Sequence, residues 1–220
     1  LLDRDIKNLI FSGEIAELSQ TENSQPAIMA TSIAIFNVLK DEKLISKDSY
    51  HAVAGHSLGE YSALVANNGI TFEQSVQLLK IRSRAMQDSM PLGTSGMLAL
   101  IGCNSNVIQS VIENASKFGQ IYIANDNAEG QIVLSGEINA IEYILSNKKK
   151  LAIRKAVQLP VSASFHCSLM SHASKKLGME IKNINFNNFD VPLYSNVTSM
   201  PCSEKEIGDL LIRQVTSKVR

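Results

Sequence analysis

The chain has 220 residues, 45% of them hydrophobic, enough for one sizeable domain or for a large domain carrying a smaller insertion. Lys+Arg and Asp+Glu both number 21, a formal net charge of zero, which argues against a basic nucleic-acid-binding surface. No apolar run approaches the roughly 20 residues of a membrane span, and three scattered cysteines (Cys103, Cys167, Cys202) make neither a disulfide framework nor a Cys-based zinc site.

A reducing cytoplasm is therefore the expected compartment. The chain opens on Leu1-Leu2 with no Met and no signal peptide, and it stops at Lys218-Val219-Arg220, so further residues are expected at both ends. Residues 5–11 and 14–19 read as short helices split by Ser12-Gly13. Pro26 is placed in the first turn of the next helix, where its missing N–H is harmless. Ile28, Met29, Ile33, Phe36 and Leu39 follow at helical spacing.

Residues 50–54 read as a short apolar strand and residues 60–68 as a helix that stops at Gly69. Between them lies Gly55-His56-Ser57-Leu58-Gly59, the G-x-S-x-G pattern of a nucleophile elbow. A sharp turn would make side chains at both flanking positions clash, which Gly55 and Gly59 avoid. Ser57 is then held out at the C-terminal end of the strand, and the Leu58 N–H points where an oxyanion would form. An ordinary Gly-rich loop with a Ser cap is the alternative; the flanking strand and helix favour the elbow.

Thr71 and Gln74 make a capping box that opens a helix running to about residue 90. At about 100° per residue, Phe72, Leu79, Met86 and Met90 share one line, with Arg82 inside the apolar arc and Arg84 opposite. A cation in an apolar stripe needs a partner, because an unpaired buried charge is costly. Snorkelling to the helix edge or pairing with a structural carboxylate competes with a ligand-binding role.

Residues 91–96 mark a boundary. Strand 97–102, helix 104–118, strands 121–126 and 131–136, helix 137–149 and strand 152–161 follow in the β-α-β-β-α-β order of a ferredoxin-like unit. The fold class is therefore α/β. An α/β-hydrolase-like large domain with a parallel sheet is expected over 1–95 and 162–220, and a ferredoxin-like small domain over 96–161. After the return at Ser162 come a helix from 168 to about 183, an Asn-rich loop and a strand over 191–197. A second capping box, Ser203 to Glu206, then opens the last helix.

A Ser hydroxyl needs a base to attack at neutral pH. Of the four histidines, His51 lies at the wrong end of its strand, His56 points away inside the turn, and His172 sits among Ser and Lys. His166, in the re-entry loop between Phe165 and a helix N-terminus, is the best candidate base; a structural loop histidine is the alternative. A triad would add a carboxylate to orient it, yet Asp190 and Asp209 are the available acids and neither sits at a convincing strand end. Cys167 lacks an elbow and reads as a small buried thiol.

Gly55-His56-Ser57-Leu58-Gly59-Glu60-Tyr61 is similar to the GHSLGEY signature of malonyl-CoA:acyl carrier protein transacylases and of the acyltransferase domains of fatty-acid and polyketide synthases. Ser24-Gln25-Pro26-Ala27, Arg82 in IRSRAMQ, IANDNAEGQIVLSG, Phe165-His166, VPLYSNVT and the segment 214–220 resemble further family segments in the same order. The resemblance covers nearly the whole chain. It implies that Ser57 becomes a malonyl ester, that His166 is its general base, and that the Gln214 backbone carbonyl orients His166 in place of an acid. It implies that Arg82 binds the malonyl carboxylate through a two-point fork and that Leu58 N–H is one oxyanion donor. The family's other donor is a Gln in a GQGSQ motif, which this sequence does not contain.

Phe165 before the His resembles malonyl-selective members. The implied activity is ping-pong malonyl transfer from malonyl-CoA to the phosphopantetheine thiol of acyl carrier protein in fatty acid biosynthesis, by a stand-alone monomer with no metal, no resident cofactor and no nucleic-acid or membrane partner. Arg154, Lys155 and Lys175 are candidates for the carrier-protein surface. A polyketide synthase acyltransferase domain, a serine esterase or thioesterase, and a carrier-protein binding module are the alternatives.

Overall fold

A computed structural model of the chain describes residues 5–161 and 163–220. Ser162, where the return to the large domain is expected, lies outside them. Asp5 caps α1 (Ile6–Ser12) by accepting the Asn8 N–H at 2.9 Å, and α2 (Ile15–Leu18) follows Gly13. The next helix, α3 (Thr21–Asp41), begins earlier than expected, so Pro26 lies inside it rather than in its first turn. The Asn23 and Ser24 N–H groups already bond Gln20 O, and proline's missing donor then removes one rung of a ladder that is under way.

β1 (Val53–Ala54) leads through the turn into α4 (Gly59–Ala66). That helix ends with Asn68 at φ +57° and the Gly69 N–H on Leu64 O. The capping box forms in both directions: Thr71 N–H donates to Gln74 Oε1 at 3.2 Å and Gln74 N–H to Thr71 Oγ1 at 3.1 Å. It opens α5 (Phe72–Gln87), where Val76, Leu78, Leu79, Arg82 and Ala85 are buried.

β2 (Ser95–Ile101), α6 (Ser105–Ala115), β3 (Ile121–Ala128), β4 (Gln131–Glu137), α7 (Ile138–Ser146) and β5 (Lys155–Gln158) follow. β5 starts later than expected because residues 148–153 coil into a turn, with Ala152 at φ +55° and Ile153 N–H on Lys148 O. A 3-10 turn (Ser168–Met170) precedes α8 (Ser171–Ile181). The chain closes with β6 (Leu193–Tyr194), the unforeseen short β7 (Pro201–Cys202) and α9 (Ile207–Gln214). The expected strands 50–54 and 191–197 shrink to two residues each, because both chains leave the ladder at Gly55 and Ser195 to build turns.

The fold is thus α/β, and its contacts divide it into two units, Leu1–Ala85 with Lys175–Arg213, and Met86–Ser174 with Gln214–Arg220. The first holds a mixed sheet in the order β1-β6-β7, parallel between β1 and β6 and antiparallel between β6 and β7. The second holds an antiparallel sheet in the order β3-β4-β2-β5. Its central strand β2 is buried on both faces: Leu98 and Leu100 join Ile108, Val111, Ile141 and Ile144 of the two helices, while Met97 and Ala99 pack with Ala124 and Val133 on the other side.

Candidate active site

The parallel register Val53↔Leu193 and Ala54↔Tyr194 brings two chain turns side by side at the C-terminal ends of β1 and β6. Ser57 sits at the apex of the first, at φ +56°, a left-handed conformation that a non-glycine residue adopts only when its surroundings impose it. Gly55 makes the tight reversal possible: a Cβ there would lie 1.9 Å from Gly59 O. Gly59 differs from the expectation, since a Cβ there would meet nothing within 4 Å. The clash is one-sided because the chain folds back over residue 55, whereas residue 59 is already the first of α4. Gly59 and Glu60 N–H bond His56 O and Ser57 O as the helix starts, and among the described residues Leu58 N–H donates to no protein acceptor. It remains available to an oxyanion.

Arg82 is 1% exposed and reaches from α5 to the elbow. Its Nη2 donates to Ser57 Oγ at 2.9 Å and its Nη1 to Gln25 Oε1 at 2.6 Å, while the guanidinium lies 5.7 Å from the centroid of the Tyr61 ring. Both of these acceptors are neutral oxygens, and so deep a burial rules out snorkelling to the helix edge. Burial lowers its pKa, and Tyr61 and then buried Glu60 work against that fall. A guanidinium so held is a fork for a carboxylate beside the serine hydroxyl.

In the second unit His166 is 4% exposed, at φ +58°. Its Nδ1 lies 2.9 Å from Gln214 O. A carbonyl oxygen only accepts, so Nδ1 carries the proton and Nε2 is the nitrogen of the neutral ring that bears the lone pair. Gln214 is the last residue of α9, where carbonyls lack intrahelical donors. The carboxylates weighed for this position are elsewhere in the first unit: Asp190 binds Lys47 at 2.8 Å and Asn68, and Asp209 lies in the first turn of α9. Phe165 is partly buried against the Met97, Ala99, Ala124 and Val133 face of the sheet.

His51, His56 and His172 are exposed. Burial raises the Cys167 thiol pKa, and burial with the charges of Glu60 and Glu206 pushes Cys202 up to about 12, so neither is a ready thiolate. A mostly apolar groove of about 670 Å³ between α1, α3 and α5 is lined by Ile6, Ile10, Phe11, Pro26, Ile35 and Phe72, with Lys7 and Thr31 at its wall, and includes neither Ser57 nor His166. Gln25, Tyr61, Glu60 and Asn196 belong to the first unit's cluster but were not foreseen as site residues. The sequence signal for Gln25 was its place one residue before Pro26; for Asn196 there was only a polar residue at a strand's end.

The acyl transferase domain profile matches residues 2–214. The malonyl CoA-acyl carrier protein transacylase of Bacillus subtilis (strain 168) is 37% identical over 221 residues, spanning 100% of this chain and 68% of that protein. Among solved structures, acyl-carrier-protein-S-malonyltransferase from Bartonella henselae superposes with a TM-score of 0.92 at 39% identity, over 98% of this chain and 69% of that one. A malonyl-transacylase solved in complex with its type II PKS acyl-carrier protein superposes with a TM-score of 0.92 at 33% identity, over 98% and 69% of the two chains.

Proposed function

The chain belongs to the acyl transferase domain family, and on that premise we propose that it moves a malonyl group from malonyl-CoA to the phosphopantetheine thiol of acyl carrier protein, as a step of fatty acid biosynthesis. The observation that carries the reading is the Arg82 Nη2 bond to Ser57 Oγ, which sets a buried carboxylate receptor on the nucleophile itself.

In this cycle Ser57 Oγ attacks the thioester carbonyl and its proton passes to Nε2 of His166. The Leu58 N–H takes the negative oxygen of the tetrahedral intermediate, and Arg82 exchanges its hydroxyl contact for the malonyl carboxylate. The C–S bond breaks and the CoA sulfur leaves with the His166 proton. The carrier's thiol then gives its proton to His166 and attacks the malonyl-Ser57 ester, and the returning proton restores the Ser57 hydroxyl. Gln214 O holds the imidazole in one tautomer through both halves. The cycle balances with these groups alone, so the reading includes no resident metal or cofactor.

The reading carries the finer layout with it: a hydrolase-like large domain over 1–95 and 162–220 and a ferredoxin-like small domain over 96–161. The antiparallel order β3-β4-β2-β5 supports the ferredoxin-like part. It also carries a cytoplasmic, monomeric enzyme, with Phe165 favouring malonyl over branched groups and Arg154, Lys155 and Lys175 offered to the carrier protein; no helix among the described residues is long and apolar enough to cross a membrane.

Incubation with malonyl-CoA followed by intact-mass measurement tests the reading. One malonyl group on Ser57, absent from Ser57→Ala and discharged by holo acyl carrier protein, is expected. A wild-type chain that gains no mass would sink it.

A further inference from the structure

Ser57 is held in a left-handed conformation that its own side chain does not favour, so something else must hold the turn. The Ser57 N–H donates to Asn196 Oδ1 at 2.6 Å, and Asn196 Nδ2 donates to Gly55 O at 2.6 Å. One primary amide therefore closes both ends of the three residues Gly55, His56 and Ser57. The task needs an acceptor and a donor on one short planar group, which Asn supplies at neutral pH and Asp does not.

Asn196 is itself fixed. It is 6% exposed, in the turn between β6 and β7, where Ser195 N–H bonds Met200 O at 3.0 Å and Ser199 N–H bonds Ser195 O at 2.9 Å. Its own backbone N–H points to Glu60 Oε1 at 3.4 Å. Glu60 is fully buried and stands on α4, with its N–H on Ser57 O at 3.1 Å. The two turns clasp each other: the second sends a side chain to the backbone of the first, and the helix behind the first sends a side chain to the backbone of the second.

We propose that Asn196 is a positioning residue for the nucleophile, setting the direction of Ser57 Oγ and of the adjoining Leu58 N–H, and that Glu60 holds Asn196 in that role. The proposal rests on the reading of Ser57 as the nucleophile. Asn196 touches no reacting atom in this scheme; it acts through the Ser57 backbone.

The test is the rate of Ser57 labelling by a fluorophosphonate, which reports an activated serine without involving malonyl, Arg82 recognition or carrier protein. Melting temperature is measured in parallel. Asn196→Ala is expected to slow labelling by about 10- to 100-fold, the scale of a displaced reacting group. Leu177→Ala, at a fully buried α8 position that takes no part in the hydrogen bonds of either turn, supplies a destabilised control expected to label at the wild-type rate. Asn196→Asp keeps size and the acceptor for Ser57 N–H but sets an oxygen against Gly55 O. Its rate relative to wild type should rise as pH falls through the carboxyl's titration, when a protonated oxygen regains the donor; a purely structural role gives no such recovery. Both Asn196 variants labelling at the wild-type rate at every pH would overturn the proposal. A wild-type chain unlabelled at Ser57 would instead overturn the nucleophile reading, and this one with it.

Discussion

In the proposed cycle, one side chain, Arg82, selects the acyl group that the serine receives. Its guanidinium donates to two neutral oxygens, Ser57 Oγ and Gln25 Oε1, and the bond to Ser57 Oγ is the one a substrate carboxylate would replace in the proposed cycle. A charge-assisted bond is worth about 1.5–3 kcal/mol. Arg82→Ala should therefore slow malonylation of Ser57 by about 10- to 100-fold while acetylation from acetyl-CoA changes little. Arg82→Lys, a point charge without the planar fork, should recover only part of the loss. Equal falls for both acyl groups, measured by stopped acylation and mass analysis, would make Arg82 structural and favour an ordinary serine hydrolase. The helical phase of Arg82 inside an apolar arc was legible in the sequence; its Gln25 partner, 57 residues earlier in the chain, was not, because no local pattern reports a contact between two helices.

The strand-turn-helix element separates two glycines that a symmetrical motif treats alike. Adding a Cβ at Gly55 drives it into the Gly59 carbonyl at 1.9 Å, against backbone that cannot swing aside. Gly55→Ala should cost about 3 kcal/mol or more and abolish Ser57 acylation. Gly59→Ala meets open space at the first helical position and should be neutral or stabilising by up to about 1 kcal/mol. Urea unfolding of the two variants makes the comparison. The one-sidedness is a property of how far the chain has turned by residue 59, which the spacing of the motif does not encode.

A second element-scale feature is the loop between α8 and β6, tied down by Asp190. Its carboxyl is held below the ordinary range chiefly by the hydrogen bond from Lys47, with Asn68 adding a second, and Lys47 is raised chiefly by the same bond. A lowered carboxyl contributes fully above its unfolded value of about 3.9 and loses that contribution as pH falls through the folded value. The raised Lys47 contributes fully below its unfolded value and loses its share as pH rises through the folded one. Amide exchange over residues 183–190 should therefore quicken, relative to the rest of the chain, as pH drops below about 4. Asp190→Asn should remove that acid-range step; an unchanged step would assign it to another group. Asp190 is an acid available in the sequence without a convincing strand end, and its bonds to Lys47 and Asn68 give it a local structural role instead.

Across the whole molecule, the order of elements was largely legible because helices and the long strands of the second unit carry clear periodicities. The two-residue strands β1, β6 and β7 were not, since their length is set by where Gly55 and Ser195 leave the ladder. The groups assigned to the chemistry divide in the same way as the contacts. Ser57, Arg82, Gln25 and Asn196 belong to the first unit; His166 and the carbonyl that orients it belong to the second. In the proposed cycle the first set supplies the nucleophile and the charged fork for the acyl tail, whereas the second handles a proton that every acyl group requires. His166→Ala should accordingly slow acylation from malonyl-CoA and from acetyl-CoA by the same factor, about 10²- to 10⁴-fold, leaving their ratio at the wild-type value. Arg82→Ala should collapse that ratio. The ratio, taken from single-turnover acylation of each variant, is the quantity to measure, because unequal substrate handling by His166→Ala would mean that the base also reads the acyl tail and that selection and proton transfer are not separate tasks.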